Sequence, residues 1–116
     1  MPDISFPVEV IEGVPVVTAP EEVDIANAAA LKAALMEAAL RETAEPDRAL
    51  LVVDMSRTRF CDSAGLNALV GAARQARANG GEVRMVVVGG AVSRIVELTG
   101  VDRVIAIYPS LEEALN

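Results

Sequence analysis

The sequence of 116 residues contains no histidine, no tryptophan and a single cysteine, Cys61. The missing histidine removes the most frequent general base, the most frequent zinc ligand and the base of a serine hydrolase triad. One cysteine can form neither an internal disulfide bond nor a thiolate metal cluster. These absences argue against an enzyme and against a resident metal ion or cofactor.

Long apolar runs are absent as well. No stretch of about 18 consecutive apolar residues occurs, so no transmembrane helix is predicted. The first residues, "MPDISFPVEV", lack the basic region and the apolar region of a signal peptide. We therefore expect a cytoplasmic protein that does not associate with a membrane.

Positive charge is scarce. The chain has ten Lys and Arg residues and 17 Asp and Glu residues, which gives a formal net charge of −7. Proteins that bind nucleic acid need a basic surface to displace counterions, and anionic membranes attract the same kind of surface. The charge excludes both partners and favours a protein partner with a basic face.

Hydrophobic residues are abundant, at 53% of the chain, although only 3% of residues are aromatic. Val, Leu, Ile, Ala and Met must therefore fill the core. The length fits one domain, which we place over residues 1–116.

The first half predicts two strands, a helix and a third strand. The alternation in "SFPVEVIEG" and the β-branched run "VPVVTA" indicate strands that meet at a turn at Glu12-Gly13. The stretch "DIANAAALKAALMEAALRE" favours a helix. One face of this helix would carry Ala28, Leu31, Leu35 and either Ala38 or Ala39. The apolar run "ALLVVDM" is typical of a strand buried on both faces.

The second half alternates helices and strands. "SAGLNALVGAARQARANGG" predicts a helix that ends at Gly80-Gly81, with Leu66, Leu69, Val70 and Ala73 on one face. "EVRMVVVGG" predicts a strand, "AVSRIVELTG" a short helix and "RVIAIY" a last strand. "SLEEALN" predicts a final helical turn, with Ser110 and Glu113 spaced as a capping box. The order β-β-α-β-α-β-α-β-α predicts an α/β domain with a small mixed, mostly parallel sheet.

Three strand-to-helix junctions are candidates for function: residues 21–27, 56–65 and 89–93. In a parallel sheet such junctions gather beyond the carboxyl ends of the strands. If their strands run parallel, all three form one surface, with Ser63 in the middle junction.

Ser63 has three interpretations. A nucleophile is disfavoured, because Cys61 stands where the G-x-S-x-G motif needs its first glycine and no histidine can act as base. A helix cap is well supported, since Asp62 and Ser63 are both preferred caps. A phosphate acceptor is the third, because helix amides favour an added negative charge.

Cys61 and Asp54, which precede Ser63 in the chain, have structural interpretations. Cys61 follows Phe60 in an apolar context, which favours a buried thiol over a reactive one. Asp54 ends a buried strand, but the partner residues of aspartyl-phosphate families are missing, so we expect it to organise its loop.

The stretch from Val52 to Leu115 resembles the STAS domain, and within that family the bacterial anti-sigma factor antagonists. Its motifs are "VVDMS" at a strand end, "CDSAGL" at a helix start, "NGG" at that helix's end, "LTG" after a short helix, and "YPSLEEAL". Before the first helix, Val23-Asp24 fits the family pattern, while Glu21 stands where glycine is usual.

The resemblance implies a switch between partners. Unphosphorylated antagonists of this family bind an anti-sigma factor serine kinase and free the sigma factor. The kinase then uses ATP and Mg²⁺, which belong to the kinase, to phosphorylate the serine that matches Ser63, and a PP2C-type phosphatase resets it. The docking positions carried over to this chain are Asp24, Asp62, Ser63, Ala64, Gly65, Leu66 and Gly90.

An alternative stays open. The chain could be a STAS scaffold or a transporter-associated subunit in which Ser63 is only a cap. The sequence also leaves a weak homodimer open.

Overall fold

The chain alternates strands and helices in the predicted order. The computed structural model describes residues 6–41 and 50–116. Its helices are α1 (Ala28–Arg41), α2 (Ser63–Ala78), α3 (Gly90–Thr99) and α4 (Leu111–Leu115). Its strands are β1 (Val8–Ile11), β2 (Val14–Thr18), β3 (Glu22–Val23), β4 (Leu50–Asp54), β5 (Phe60–Cys61), β6 (Glu82–Val86) and β7 (Ala106–Tyr108).

Five strands form one mixed sheet in the order β1-β2-β4-β6-β7. The hairpin β1–β2 is antiparallel, and its turn has left-handed backbone at Glu12 (φ 54°) and Gly13 (φ 80°), as a two-residue hairpin turn requires. Strands β2, β4, β6 and β7 are parallel to one another. The predicted fold class, a small mostly parallel α/β sheet with helices, is confirmed.

The sheet has a core on each face because alternate strand residues point to opposite sides. Val17, Val53 and Met85 lie in register and pack against the helices α1, α2 and α3. Leu31 and Leu35 of α1 and Leu69 of α2 are fully buried there, as the helical periodicity predicts. On the other face, Val16, Val52 and Val86 pack with Ala114 of α4.

The end of α3 and the start of α4 lie where the sequence predicts them. Gly100 ends α3 with a left-handed backbone at φ 76°. The Ser110 hydroxyl accepts a hydrogen bond from the amide of Glu113 at 3.2 Å and so caps α4.

The structure differs from the prediction in three places. A second sheet of two parallel two-residue strands, β3 and β5, joins segments far apart in the sequence. Helix α1 begins at Ala28 and not at Asp24, because the Asp24 carbonyl accepts hydrogen bonds from the amides of Asn27 and Ala28 in a tight turn. Residues 101–103 form a short 3₁₀ turn, so the last strand begins only at Ala106.

The outermost residues of three predicted elements, Ser5, Glu42 and Ala49, lie outside the described residues.

Candidate functional site

Three junctions leave the sheet at one edge, because β2, β4 and β6 are parallel and their carboxyl ends align. We call this surface the loop edge. It consists of residues 19–27 after β2, residues 55–62 after β4 and residues 87–89 after β6. The amide of Met55 donates to the carbonyl of Val86 at 3.0 Å, which ties the start of the second junction to the last residue of β6.

The first and second junctions form one hydrogen-bonded unit. The Thr58 hydroxyl, in a side chain that is only 8% exposed, donates to the Pro20 carbonyl at 2.8 Å. The Arg59 amide donates to the Glu21 carbonyl at 2.7 Å. Strands β3 and β5 then pair, and the Asp62 amide donates to the Val23 carbonyl at 3.1 Å. Glu21, which stands where the resemblance predicts glycine, needs no left-handed backbone, since Glu12 is the only residue other than glycine with positive φ in the described part of the chain.

Asp62 caps helix α2. Its Oδ1 atom accepts a hydrogen bond from the Gly65 amide at 2.9 Å, and its Oδ2 atom accepts one from the Ile25 amide at 3.2 Å. One carboxylate therefore satisfies a free amide of the first helical turn and ties the helix start to the preceding junction. Of the two capping candidates in the sequence, the structure selects Asp62.

Ser63 is the first residue of α2 and is exposed. Since Asp62 occupies the capping position, the Ser63 hydroxyl makes no hydrogen bond to any described residue. The amides of Ser63 and Ala64 likewise have no acceptor among the described residues, whereas the amides of Gly65 and Leu66 bond to Asp62. The hydroxyl thus stands in solvent beside two free helix amides and the positive end of the helix dipole.

Gly65 is where the helix start touches the chain behind it. A Cβ atom at this position would lie 2.7 Å from Cγ1 of Val23 and 2.8 Å from Sγ of Cys61. Both distances are below any normal contact, so only glycine allows α2 to begin this close to β3 and β5. Gly65 and Leu66 are buried, which means that they position the site and do not face solvent.

Cys61 is buried, with 1% of its surface exposed. Burial, with a smaller contribution from the charge of Asp62, raises the pKa of its thiol from the ordinary 9.0 to about 11. The thiol is therefore protonated at neutral pH and is part of the core, as its apolar sequence context predicts.

Two other carboxylates organise their own loops. Asp54 accepts from the amide of Ser56 at 2.9 Å, which confirms the expected loop-organising role. Asp24 accepts from the amide of Ala26 at 2.9 Å, and its own amide donates to the side chain of Asn27. Asp24 is joined to the start of α2 indirectly, through the bond between Ile25 and Asp62.

Gly90 begins α3 at the third junction, where φ is positive at both Gly89 (55°) and Gly90 (73°). It lies on the same edge of the sheet as the other predicted positions. No hydrogen bond among the described residues joins it to α2, so it belongs to the surface by position alone.

The sequence reasoning missed the apolar side chains of the loop edge. Ile25 is 82% exposed, Phe60 is 48% exposed and Val88 is 58% exposed, one on each junction. For Ile25 and Phe60 the available signal was an apolar residue inside a polar connecting segment, whereas Val88 lay in an apolar run predicted to be a strand, which ends at Val86. The exposed Arg57 and Arg59 lie in the middle junction too, so the loop edge carries both signs of charge, although the chain as a whole is acidic.

No group of three or more His, Cys, Asp or Glu residues in 6–41 and 50–116 is arranged to hold a metal ion. In the same part of the chain, no helix has both the length and the apolar character needed to cross a membrane.

Comparison with known proteins identifies a family and several solved structures with the same fold. The profile of the STAS domain family matches residues 5–114. A crystal structure of an anti-sigma factor antagonist from Mycobacterium paratuberculosis is 32% identical, with a TM-score of 0.81, over 96% of this chain and 90% of that one.

Two more distant structures share the fold. The Bacillus cell fate determinant SpoIIAA in its phosphorylated form is 18% identical, with a TM-score of 0.66, over 96% of each chain. The murine anion transporter Solute Carrier 26 family member A9 is 22% identical, with a TM-score of 0.68, over 90% of this chain and 17% of the transporter.

Proposed function

We propose that this chain, which belongs to the STAS domain family, acts as an anti-sigma factor antagonist controlled by phosphorylation of Ser63. In its unphosphorylated form it binds an anti-sigma factor that is also a serine kinase, and the sigma factor is released. Phosphorylation of Ser63 ends that binding, and a PP2C-type phosphatase restores it. These steps take place in the cytoplasm, and the chain itself carries out no catalysis.

The observation that carries the proposal is the position of the Ser63 hydroxyl. It is exposed and unbonded among the described residues because Asp62 caps the helix in its place. A kinase can therefore reach the hydroxyl without breaking any contact of the fold. The relative from Mycobacterium paratuberculosis, described as an anti-sigma factor antagonist, supports the same class of function.

The helix start can hold the added phosphate. The phosphoryl oxygens would lie beside the unbonded amides of Ser63 and Ala64, which favour negative charge. The carboxylate of Asp62, bonded on both oxygens, opposes that charge. Because the two effects offset each other, we expect phosphorylation to alter the stability of the fold little.

Phosphorylation would act on the docked partner instead. The exposed Ile25 and Phe60 are the side chains on the first and second junctions that an interface would bury. A dianion placed between such contacts must lose its water and repel nearby carboxylates. The partner therefore dissociates while the antagonist keeps its structure.

The test is intact-mass spectrometry of the purified protein after incubation with each candidate anti-sigma kinase of its host and Mg-ATP. We expect one added phosphate on Ser63, located by fragmentation and absent from Ser63→Ala. Ser63→Ala should still bind the kinase, and Ser63→Glu should bind it more weakly, by about 1–3 kcal/mol. If active control kinases leave Ser63 unmodified, or if Ser63→Glu binds as tightly as the wild type, the switch does not exist.

A second candidate is a STAS scaffold or transporter-associated subunit without a phosphate switch. The murine anion transporter contains a region of the same fold. This alternative predicts co-purification with membrane transport subunits and no phosphate on Ser63 in cells.

A further inference from the structure

Strand β1 is the outermost strand on one side of the main sheet, and we call its unpaired side the β1 edge. It pairs with β2 on one side, and no described strand lies on its other side. The two valines of this strand are partly exposed, Val8 by 44% and Val10 by 48%. Edge strands offer unpaired backbone groups to other chains, and soluble proteins usually cover or interrupt them.

The hydrogen-bond register shows which backbone groups of β1 are free. Val8 lies opposite Val17, and Val10 lies opposite Pro15. The Thr18 amide donates to the Pro7 carbonyl at 3.0 Å, so the pair Pro7–Thr18 is a bonded one. Bonded and unbonded pairs alternate along an antiparallel ladder. Val8 and Val10 are therefore in unbonded pairs, and their N–H and C=O groups point away from β2.

The side chains along this edge alternate in character. Val8 and Val10 point to the face of the sheet that carries Val17, while Glu9 points to the opposite face. Glu9 and Glu12 are both exposed. An incoming strand would therefore meet apolar, acidic and apolar positions in turn, with a further carboxylate at the turn.

From this pattern we propose that β1 binds an extended segment of a partner protein in which apolar and basic residues alternate. The segment adds a sixth strand to the sheet. Its backbone pairs with Val8 and Val10, its apolar residues cover the two valines, and a Lys or Arg lies directly across from Glu9.

A second copy of this chain fits the edge less well. In the antiparallel register that pairs both valines of each copy, Val8 lies opposite Val10 and Val10 lies opposite Val8. The two Glu9 carboxylates then lie directly opposite each other, and like charges in that position destabilise a strand pair. Charge thus selects a basic segment over self-association.

In the test, the full chain is titrated with two blocked peptides, Val-Lys-Val-Lys-Val and Val-Glu-Val-Glu-Val. Two-dimensional NMR of the backbone amides of the chain detects binding. We expect saturable shifts of the Val8 and Val10 amides with the basic peptide and none with the acidic one. Glu9→Lys should reverse that preference. Val10→Pro removes one outward amide without removing a bond of the sheet, so the fold should persist while the affinity falls about tenfold.

Val10→Thr is the matched control, because it keeps the amide and the β-branched shape, and it should retain the affinity. The proposal is wrong if the basic peptide leaves the β1 amides unmoved or if Val10→Pro binds it as well as Val10→Thr. It is also wrong if sedimentation finds a dimer at neutral pH that Val10→Pro abolishes, since the occupant of the edge is then a second copy.

Discussion

Oδ2 of Asp62 lies 3.2 Å from the amide nitrogen of Ile25, 37 positions earlier in the chain. The other carboxylate oxygen caps helix α2 through Gly65. One side chain thus sets both the start of the helix that carries Ser63 and the position of the most exposed apolar residue on the loop edge. A change at Asp62 should therefore affect helix stability and the first junction together.

Asp62→Ala should lower the free energy of unfolding by about 1–2 kcal/mol, because a helix cap and a bond between two junctions are lost. Ser63→Ala should change it by less than about 0.5 kcal/mol, since its hydroxyl bonds to no described residue. Urea denaturation of both variants makes the comparison. Equal losses would show that Ser63 shares the capping role.

Asp62→Asn separates the two functions of the carboxylate. Asn caps helices about as well as Asp, but its NH₂ group cannot accept the hydrogen bond from Ile25. We expect near-normal stability together with faster hydrogen exchange at the Ile25 amide. Unchanged exchange at Ile25 would mean that another group holds the first junction.

Gly65→Ala should destabilise the fold by about 1–3 kcal/mol, because the new methyl group would press on Val23 and Cys61. Gly71→Ala is the control on the same helix. There the new Cβ would meet only the flexible end of the Lys32 side chain, at 3.0 Å, and alanine favours a helix by about 1 kcal/mol. Thermal unfolding should therefore show a lower midpoint for Gly65→Ala and an equal or higher one for Gly71→Ala.

The buried thiol predicts a loss of stability in alkali. The folded pKa of Cys61, about 11, lies above the ordinary value of 9.0. The unfolded chain therefore loses this proton first, so the stabilising contribution is complete below pH 9 and is lost as pH rises towards 11. The loss should reach about 2 kcal/mol at pH 11.

The comparison is with Cys61→Ala, measured by denaturant titration at several pH values. Other groups titrate in both proteins, so the difference between the two pH curves isolates the thiol. A constant difference from pH 8 to pH 11 would contradict the raised pKa.

Ile25 should matter for binding and not for folding. If the loop edge docks a kinase as proposed, Ile25→Ser should weaken the affinity for that kinase by about tenfold. The free energy of unfolding should stay unchanged, because the side chain is 82% exposed. Leu98 is a matched control at 79% exposure. It lies eight residues, or about 12 Å, along α3 from Gly90 and the loop edge.

Titration calorimetry with the kinase compares Ile25→Ser with Leu98→Ser. Equal affinities of the two variants would remove Ile25 from the docking surface. The comparison is independent of Ser63 phosphorylation if no ATP is present.

Local pattern accounts for most of the fold. The spacing of Leu31 and Leu35, the apolar run that became β4, and the glycine after α3 each involve residues within about one or two helical turns or one strand. Such patterns can be read from the sequence because the same few residues that form the element also show its period. The Asp-Ser pair at a helix start and the family motifs around it were visible in the same way.

The tertiary structure decided the rest of the site. The sequence could not distinguish Asp62 from Ser63 as the cap, could not pair Glu22-Val23 with Phe60-Cys61, and could not place Val23 against Gly65. The last two, and the bond that holds Asp62 to Ile25, join segments about 40 residues apart, which meet only after parallel strands have brought their ends to one edge. Sequence therefore determined the elements and the candidate serine, and the tertiary structure determined that Asp62, held to Ile25 and Val23, takes the cap and leaves the Ser63 hydroxyl free.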